Sequence, residues 1–355
     1  GLQEKIDKQG TQDSENPTHQ VAARYYTEWK NGSTFVTNVS YANLKTESMQ
    51  YINEQINADR QVTQVESDTK SRVYTADMDY LLPIASKFRL NMGWEYSLIQ
   101  NESGTVYDGN SLDGRSFHTD TKDYMGSLYA DLRFVRKKFM LGGGVRGEYN
   151  HRSDVYNEEN NFHSLDFSPR LSVSYNFTPV TALSLNYNFV VQRPSMSQLN
   201  PSPIYVNKYL YIAGNPDLKL AKAHGVNLGI RLPQNLSFNV SYQYVKNNIF
   251  RAILSDKENP EINVFSFSNL KKTQNLMLAA NYWHIWSWYT FYVNGMYSKP
   301  FAKVPYLDGD KHYNKPRYVV HNQHMFRFNN GLSGSVALHY YSKSESFPSN
   351  MDAHY

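Results

Sequence analysis

The stretch Leu236-Ser237-Phe238-Asn239-Val240-Ser241-Tyr242-Gln243-Tyr244 decides the fold. Apolar and polar residues alternate along it without a slip. Alternate side chains of an extended strand point to opposite faces of a sheet. One face is therefore greasy, and the other carries Ser, Asn and Gln. The same period governs Phe88-Leu90-Met92-Trp94-Tyr96-Leu98, Leu171-Val173-Tyr175-Phe177 and Leu183-Leu185-Tyr187-Phe189, with Arg, Asn, Gly, Glu and Ser between them. Strands of soluble domains average roughly 5–6 residues, whereas these runs last about ten, the length a strand tilted by ~45° needs to cross a bilayer. The polar face is too hydrophilic for a sandwich core and suits a lumen filled by water or a plug.

Composition agrees. The 29 Tyr, 18 Phe and 5 Trp make 15% of the chain aromatic, which favours strands. Mean hydropathy is −0.62, and no run approaches the ~18 apolar residues of a spanning helix. A barrel strand meets lipid at only every second residue, so low mean hydropathy does not argue against it. Cysteine is absent, which excludes a disulfide framework, a thiolate metal site and a cysteine nucleophile. The net charge of +4 is dispersed and forms no Lys/Arg block, so nucleic acid is not an expected partner. The start, Gly1-Leu2-Gln3-Glu4-Lys5, is polar and reads as a processed terminus.

Connections alternate in length. Tight turns are expected at 30–33, 82–86, 136–138, 178–181, 233–235, 285–287 and 329–331, where Asn, Gly, Pro and short polar residues collect. Long polar stretches lie between them, over 45–70, 100–122, 151–164, 192–221, 252–272 and 299–316. Short turns on one side and long loops on the other are the habit of outer-membrane barrels. Two strands per tight turn give about 14 antiparallel strands, at 21–29, 33–44, 72–81, 87–99, 123–135, 139–150, 165–177, 182–192, 221–232, 235–250, 273–284, 288–298, 317–328 and 332–343. The expected fold is all-β, an up-and-down transmembrane barrel. Both ends fall on the loop side, so residues 1–355 are expected as an interior slice of one larger barrel, with residues 1–20 as an extracellular loop or disordered lead-in. Trp29, Trp283, Trp286 and Trp288 flank tight turns and are expected as an interfacial girdle.

Three motifs carry a family resemblance. Ser168-Pro169-Arg170-Leu171-Ser172-Val173-Ser174-Tyr175 resembles a strand opening common in TonB-dependent receptors. Val191-Gln192-Arg193-Pro194-Ser195-Met196-Ser197-Gln198-Leu199 resembles the family's strand exit, and Gly214-Asn215-Pro216-Asp217-Leu218-Lys219 its GNPxLKPE segment. The set is similar to the outer-membrane β-barrel family of Bacteroidetes related to these receptors. Leu220-Ala221 replaces the family's Pro-Glu, and no plug domain, TonB-box-like segment or closing C-terminal strand is visible; Met351-Asp352-Ala353-His354-Tyr355 does not resemble one. The resemblance implies a receptor barrel of about 22 strands with a plugged lumen. It implies outer-membrane lipid, a TonB-type energising protein acting through a plug domain and a surface lipoprotein as partners. The cargo it implies is a scarce nutrient such as a metal chelate, glycan, cofactor or peptide. The motifs also have a plain physical reading: Pro194 ends a strand, because it cannot donate to a ladder, and Asn215-Pro216 starts a turn.

No catalytic motif is present, and no enzyme activity, metal or cofactor is expected. His321 and His324 are three apart and fall on opposite faces of a strand. Asp308-Gly309-Asp310 with His312 lacks the remaining ligands of a calcium loop. The carboxylate pairs Glu158-Glu159 and Asp120/Asp123 read as solvated loop charges rather than a glycosidase pair. Polar phases of the strands place Arg89, Glu95, Asp131, Arg133, Arg146, Glu148, Arg170 and Arg231 toward the lumen, where pairing with each other or with a plug competes with a role in cargo contact. Tyr205, Tyr209 and Tyr211, beside Asn207 and Lys208, are candidate ligand-binding rings that could equally pack their loop. Two other classes fit less well. A passive porin or surface-binding barrel needs both termini on the turn side, and a soluble β-propeller needs shorter strands.

Overall fold

The computed structural model describes residues 6–343 apart from 57–58, 110–115, 157, 159–160, 201–203, 208, 256–260 and 307–308. Lys208, Glu159, Asp308 and the segments 1–5 and 351–355, all considered above, lie outside the described residues. The strands run β1 (Ile6–Glu15), β2 (Thr18–Glu28), β3 (Thr34–Ile56), β4 (Asp59–Ala85), β5 (Phe88–Asp108), β6 (Phe117–Arg136), β7 (Phe139–Asp154), β8 (Phe162–Asn176) and β9 (Ala182–Gln192). After the single helical turn α1 (Met196–Leu199) come β10 (Ile204–Asn207), β11 (Leu210–Ile212), β12 (Ala221–Leu232), β13 (Leu236–Ser255), β14 (Asn263–Ile285), β15 (Tyr289–Tyr306), β16 (Gly309–Tyr313), β17 (Arg317–Arg327) and β18 (Ser333–Tyr341).

Consecutive long strands pair antiparallel from β2 to β9, then β9 with β12, and onward through β13, β14, β15 and β17 to β18. That is an up-and-down wall of fourteen long strands, as the alternation predicts. Two of the short strands are continuations. β1 pairs with β3 in the register that β2 also keeps, from Ile6↔Ile56 through Glu15↔Glu47 to Thr18↔Leu44. The break falls at Asn16-Pro17. β16 and β17 likewise share one register along β15, from Tyr306↔Gly309 to Ser298↔Arg317, with the break around Pro316. Proline cannot donate to a ladder, so each long strand is interrupted there and resumes. The expected loop or disordered lead-in is thus partly a strand: residues 6–15 extend β2 along β3. β2 keeps β3 as its ladder partner and β18 keeps β17; no residue register joins β2 to β18 among the described residues.

A second correction concerns the long polar stretches. Residues 45–56 and 59–70, expected as a loop, continue β3 and β4 as one paired ladder. β5, β6, β13 and β14 likewise run into the stretches at 100–122 and 252–272. The alternation stops where the bilayer stops, because both faces then meet water, but ladder hydrogen bonds need no lipid to persist. Small cores cover this outer part, such as Ile52 with Val65 and Tyr107, and Phe250 with Leu270, Val304 and Tyr313.

The tight turns form where Asn, Gly, Pro and Lys place them. Gly32 and Gly331 take φ of +80° and +86°, and Gln234, Asn235 and Lys137 take the same left-handed region. Aromatic rings collect on the apolar face beside these turns: Trp29 on Tyr80, Phe88 on Phe134, and Trp288 on Phe326 and Phe328. A second belt lies further along the strands, with Tyr41 on Tyr74, Tyr187 on His224 and Tyr297 on Tyr318. On β17 the belts are carried by Phe326 and Tyr318, and on β6 by Phe134 and Tyr124. At ~3.4 Å per residue and ~45° tilt the separation is roughly 20–25 Å, the height of a lipid-facing band. Trp286 and Trp288 join the turn-side belt, but Trp283 does not. Its register partner Tyr292 places it on the polar face, two positions from Asn281 and Asn294.

Candidate functional site

The registers carry Arg89, Glu95, Asp131, Arg133, Arg146, Glu148, Arg170 and Arg231 to one polar face. Their neighbours differ. Glu95, Ser127, Glu148 and Asp166 stand in one cross-strand row over β5 to β8. Arg146 sits one step nearer the turns and contacts both Glu95 and Glu148, its Nε 3.2 Å from the Glu148 carboxylate. Lower still, Asp131, Gly144 and Arg170 share a row. Arg170 reaches across Gly144 to hold the Asp131 carboxylate through two guanidinium nitrogens. A side chain at 144 would meet Asp131, so glycine there is what lets strands two apart form an ion pair. Arg133 lies opposite Arg89 and donates to the Met140 sulfur. Arg231 stands apart at the turn end of β12, opposite Ala182 and Ser237. The charged belt of β5 to β8 is therefore largely self-paired.

Nearer the loops the polar face changes chemistry. Ser67, Thr105 and Phe117 share one row; Thr69, Ser103 and Thr119 the next; Ser71, Asn101, Thr121 and Asp154 the third. Hydroxyls bond across the strands: Thr69 Oγ1 to Ser103 Oγ at 3.0 Å, and Ser71 Oγ to Asn101 Oδ1 at 2.6 Å. Arg152 is held by Asp123 at 2.5 and 3.0 Å. Asp120, the other half of that carboxylate pair, is three residues from Asp123 and falls on the opposite face.

The described residues 193–200 and 213–216, between β9 and β12, fold over this region as a strap. Arg193 leaves β9 and contacts the Glu148 carboxylate. Burial, with help from the Arg146 charge, pushes the Arg193 pKa down from its ordinary value, yet a guanidinium stays charged. Ser195 and Gln198 then cap α1 reciprocally: Gln198 Oε1 accepts from the Ser195 amide at 2.9 Å, and Ser195 Oγ from the Gln198 amide at 3.3 Å. This is the S-x-x-Q capping box. Asn215 donates its amide to the Gln198 carbonyl at 2.7 Å and its side chain to Phe267 O at 2.9 Å. Leu199 and Leu218 pack on Ala221, Ala223, Val245 and Ile249. Two of the three motifs thus meet each other in space. A cavity of about 230 Å³ remains between strap and wall, lined by Thr69, Asn101, Ser103, Thr119, Thr121, Ser197 and Asn200 among others.

The three tyrosines divide. Tyr211 is 6% exposed and packs with Ile262 and Val264 in a small core where β11 joins β14 in parallel. It holds the loop rather than presenting its ring. Tyr205 lies in β10 opposite Tyr211, and the Tyr209 amide donates to Asn207 Oδ1. His321 and His324 separate to opposite faces: His321 meets His339 on the polar side, and His324 meets the Tyr289 hydroxyl on the apolar side. Asp310 pairs with Lys303 at 2.5 Å, and no group of three metal-binding side chains forms among the described residues. Sequence reasoning missed Arg193, the Asp123–Arg152 pair and the hydroxyl rows. The period-two runs of Ser and Thr at 67–71, 101–105 and 119–121 were the signal for the last.

Comparison with solved structures finds the same fold in receptors of Pseudomonas aeruginosa and Serratia marcescens. The siderophore receptor PirA of Pseudomonas aeruginosa matches with a TM-score of 0.56 at 15% identity, covering 92% of this chain and 68% of that one. A mutant of the ferric enterobactin receptor PfeA of the same organism, in complex with enterobactin, gives 0.54 at 15% identity, covering 93% and 58%. The Serratia marcescens hemophore receptor HasR, in complex with its hemophore HasA and heme, gives 0.52 at 13% identity, covering 92% and 64%. The chain thus spans about three fifths to two thirds of these proteins. No curated protein sequence matches it. A family model described as the outer membrane protein beta-barrel family matches residues 28–355. Wall, belts, polar face and family model agree: the chain belongs to the outer membrane protein β-barrel family, and its place is the cell outer membrane.

Proposed function

We propose that this chain forms the wall of an outer-membrane receptor that imports a scarce nutrient. Energy would come from a TonB-type inner-membrane protein acting through a plug domain, with a surface lipoprotein as a further partner at the mouth. The observation that carries this reading is the strap. Its residues Arg193, Ser197, Leu199, Asn200 and Pro216 lie over the polar face, with Arg193 tied to Glu148 and Leu199 packed on Val245 and Ile249. The strap covers part of the lining. A receptor that must hold its cargo before moving it needs such a cover. The self-paired charges of β5 to β8 support the reading in a second way, because they leave the wall without the single-sign ring that selects ions in a pore.

The experiment compares growth on limiting nutrients in cells lacking this protein, cells lacking the energising protein and cells lacking both. The reading predicts that the first two share a nutrient defect and that the double loss is no worse than the loss of the energiser. A defect confined to loss of this protein, with uptake intact without the energiser, would replace it with a passive porin.

A further inference from the structure

We infer that the cavity under the strap binds one ring of a neutral, hydroxyl-bearing ligand, a saccharide unit rather than an anionic metal chelate. The inference rests on the receptor reading and names its cargo class. Three features of the lining carry it.

The first is donor type. Thr69, Ser103, Thr119 and Thr121 point hydroxyls from three adjacent strands, and Asn101 adds an amide in the same field. Hydroxyls and amides each donate and accept. These groups already bond one another across the strands, and a ligand with several hydroxyls of its own can join that network as donor and acceptor, whereas a carboxylate or catecholate, which only accepts, can use the donors alone.

The second is charge. Among the described residues one cation and one anion line the cavity, Arg152 and Asp154. Both are already engaged: Asp123 grips Arg152 through two nitrogens, and Asp154 accepts from the Tyr156 amide at 3.0 Å. An anionic chelate would have to break the Arg152–Asp123 pair to gain a countercharge. A neutral ring can accept a hydrogen bond from Arg152 and donate one to Asp154 with that pair intact.

The third is shape. The lining is not polar all round. Leu199 and Pro216 of the strap give it an apolar flank opposite the hydroxyls, and Phe117 adds a ring beside them on β6. A sugar ring has the same division, C–H groups on its face and hydroxyls at its edge. The volume of about 230 Å³ falls below the ~300–1,000 Å³ of sites that enclose drug-sized ligands. It fits a single ring, with the remainder of an oligosaccharide left toward the mouth.

The test uses the full-length protein purified in detergent, with binding followed by equilibrium dialysis. The probes are maltose, cellobiose, chitobiose and mannobiose, and ferric enterobactin as the anionic chelate. The inference predicts that at least one neutral disaccharide binds, and that Asn101→Leu and Thr121→Val each weaken it at least tenfold while the heat-modifiable gel shift shows the barrel intact. Ferric enterobactin would not displace the sugar. Chelate binding with no disaccharide bound overturns the cargo class and leaves the receptor reading standing. Disaccharide binding unchanged in both variants overturns the site. No binding of any probe, together with uptake that does not need the energiser, removes the inference and the receptor reading together.

Discussion

The Gly214 amide donates to the Asn200 carbonyl at 2.7 Å, and this bond closes the strap on itself. A Cβ at 214 would lie 2.5 Å from that carbonyl oxygen and 2.7 Å from the Asn200 nitrogen and the Gln198 oxygen. Only glycine permits so close an approach of two backbones. Gly214→Ala is expected to open the strap, at a cost of about 1–3 kcal/mol by the usual scale for overpacking. Limited proteolysis checks it: cleavage between residues 193 and 216 should appear in the variant while the wall stays resistant. Equal resistance would mean that the strap is not held at this point.

Arg193 ties the same strap to the wall. Arg193→Ala leaves Glu148 with Arg146 and Asn150 and should free the strap without unfolding the strands. Ion conductance of the full-length protein in a planar bilayer should rise, and Arg193→Lys should restore part of the block, because a lysine keeps the charge but not the forked geometry. Unchanged conductance would show that the strap does not obstruct the polar face.

The Asp131–Arg170 pair depends on Gly144. Gly144→Val should separate the two and lower the temperature at which the folded gel band disappears. Truncating both charges, by Asp131→Ala with Arg170→Ala, should be milder than the sum of the single changes. The coupling is expected near ~1 kcal/mol, since Arg170 is more than half exposed.

Much of this was legible in the sequence. Period-two alternation in Leu236–Tyr244 and its kin gave the strand number, the two faces and the turns, because those depend on neighbours along the chain. What escaped was of two kinds. The continuation of β3 and β4 through 45–70 left no apolar alternation to read, since both faces there meet water. The pairings Arg193–Glu148, Asp131–Arg170 and Asp123–Arg152 join residues 29 to 45 apart in sequence, and only the register brings them together. Tyr211 misled for a related reason: an aromatic in a polar loop can present its ring or pack it, and here β11 adds to β14 and buries it. Hydrogen exchange tests the first point. Amides of residues 47–52 should be protected to the level of the transmembrane strands; exchange at loop rates would return this stretch to the loop expectation.

Neighbouring residues on β13 should respond oppositely to charge. Val240 faces the apolar band and Asn239 the polar face. Val240→Arg should destabilise by about 2–4 kcal/mol, the scale for arginine at the middle of a bilayer, and Asn239→Arg by much less. Folding efficiency into lipid vesicles reads both.

The central claim is that one face of this wall meets lipid and the other water, and the chain's own composition makes it directly measurable. It contains no cysteine, so single cysteines can be placed from Leu236 to Tyr244 on a silent background and labelled in intact outer membranes. A water-soluble maleimide should react at positions 237, 239, 241 and 243. A fluorophore at positions 236, 238, 240 and 242 should be quenched by spin-labelled lipid. Alternation of the two signals residue by residue is the predicted result; equal reaction on both faces, or quenching at none of these positions, would contradict the transmembrane wall itself.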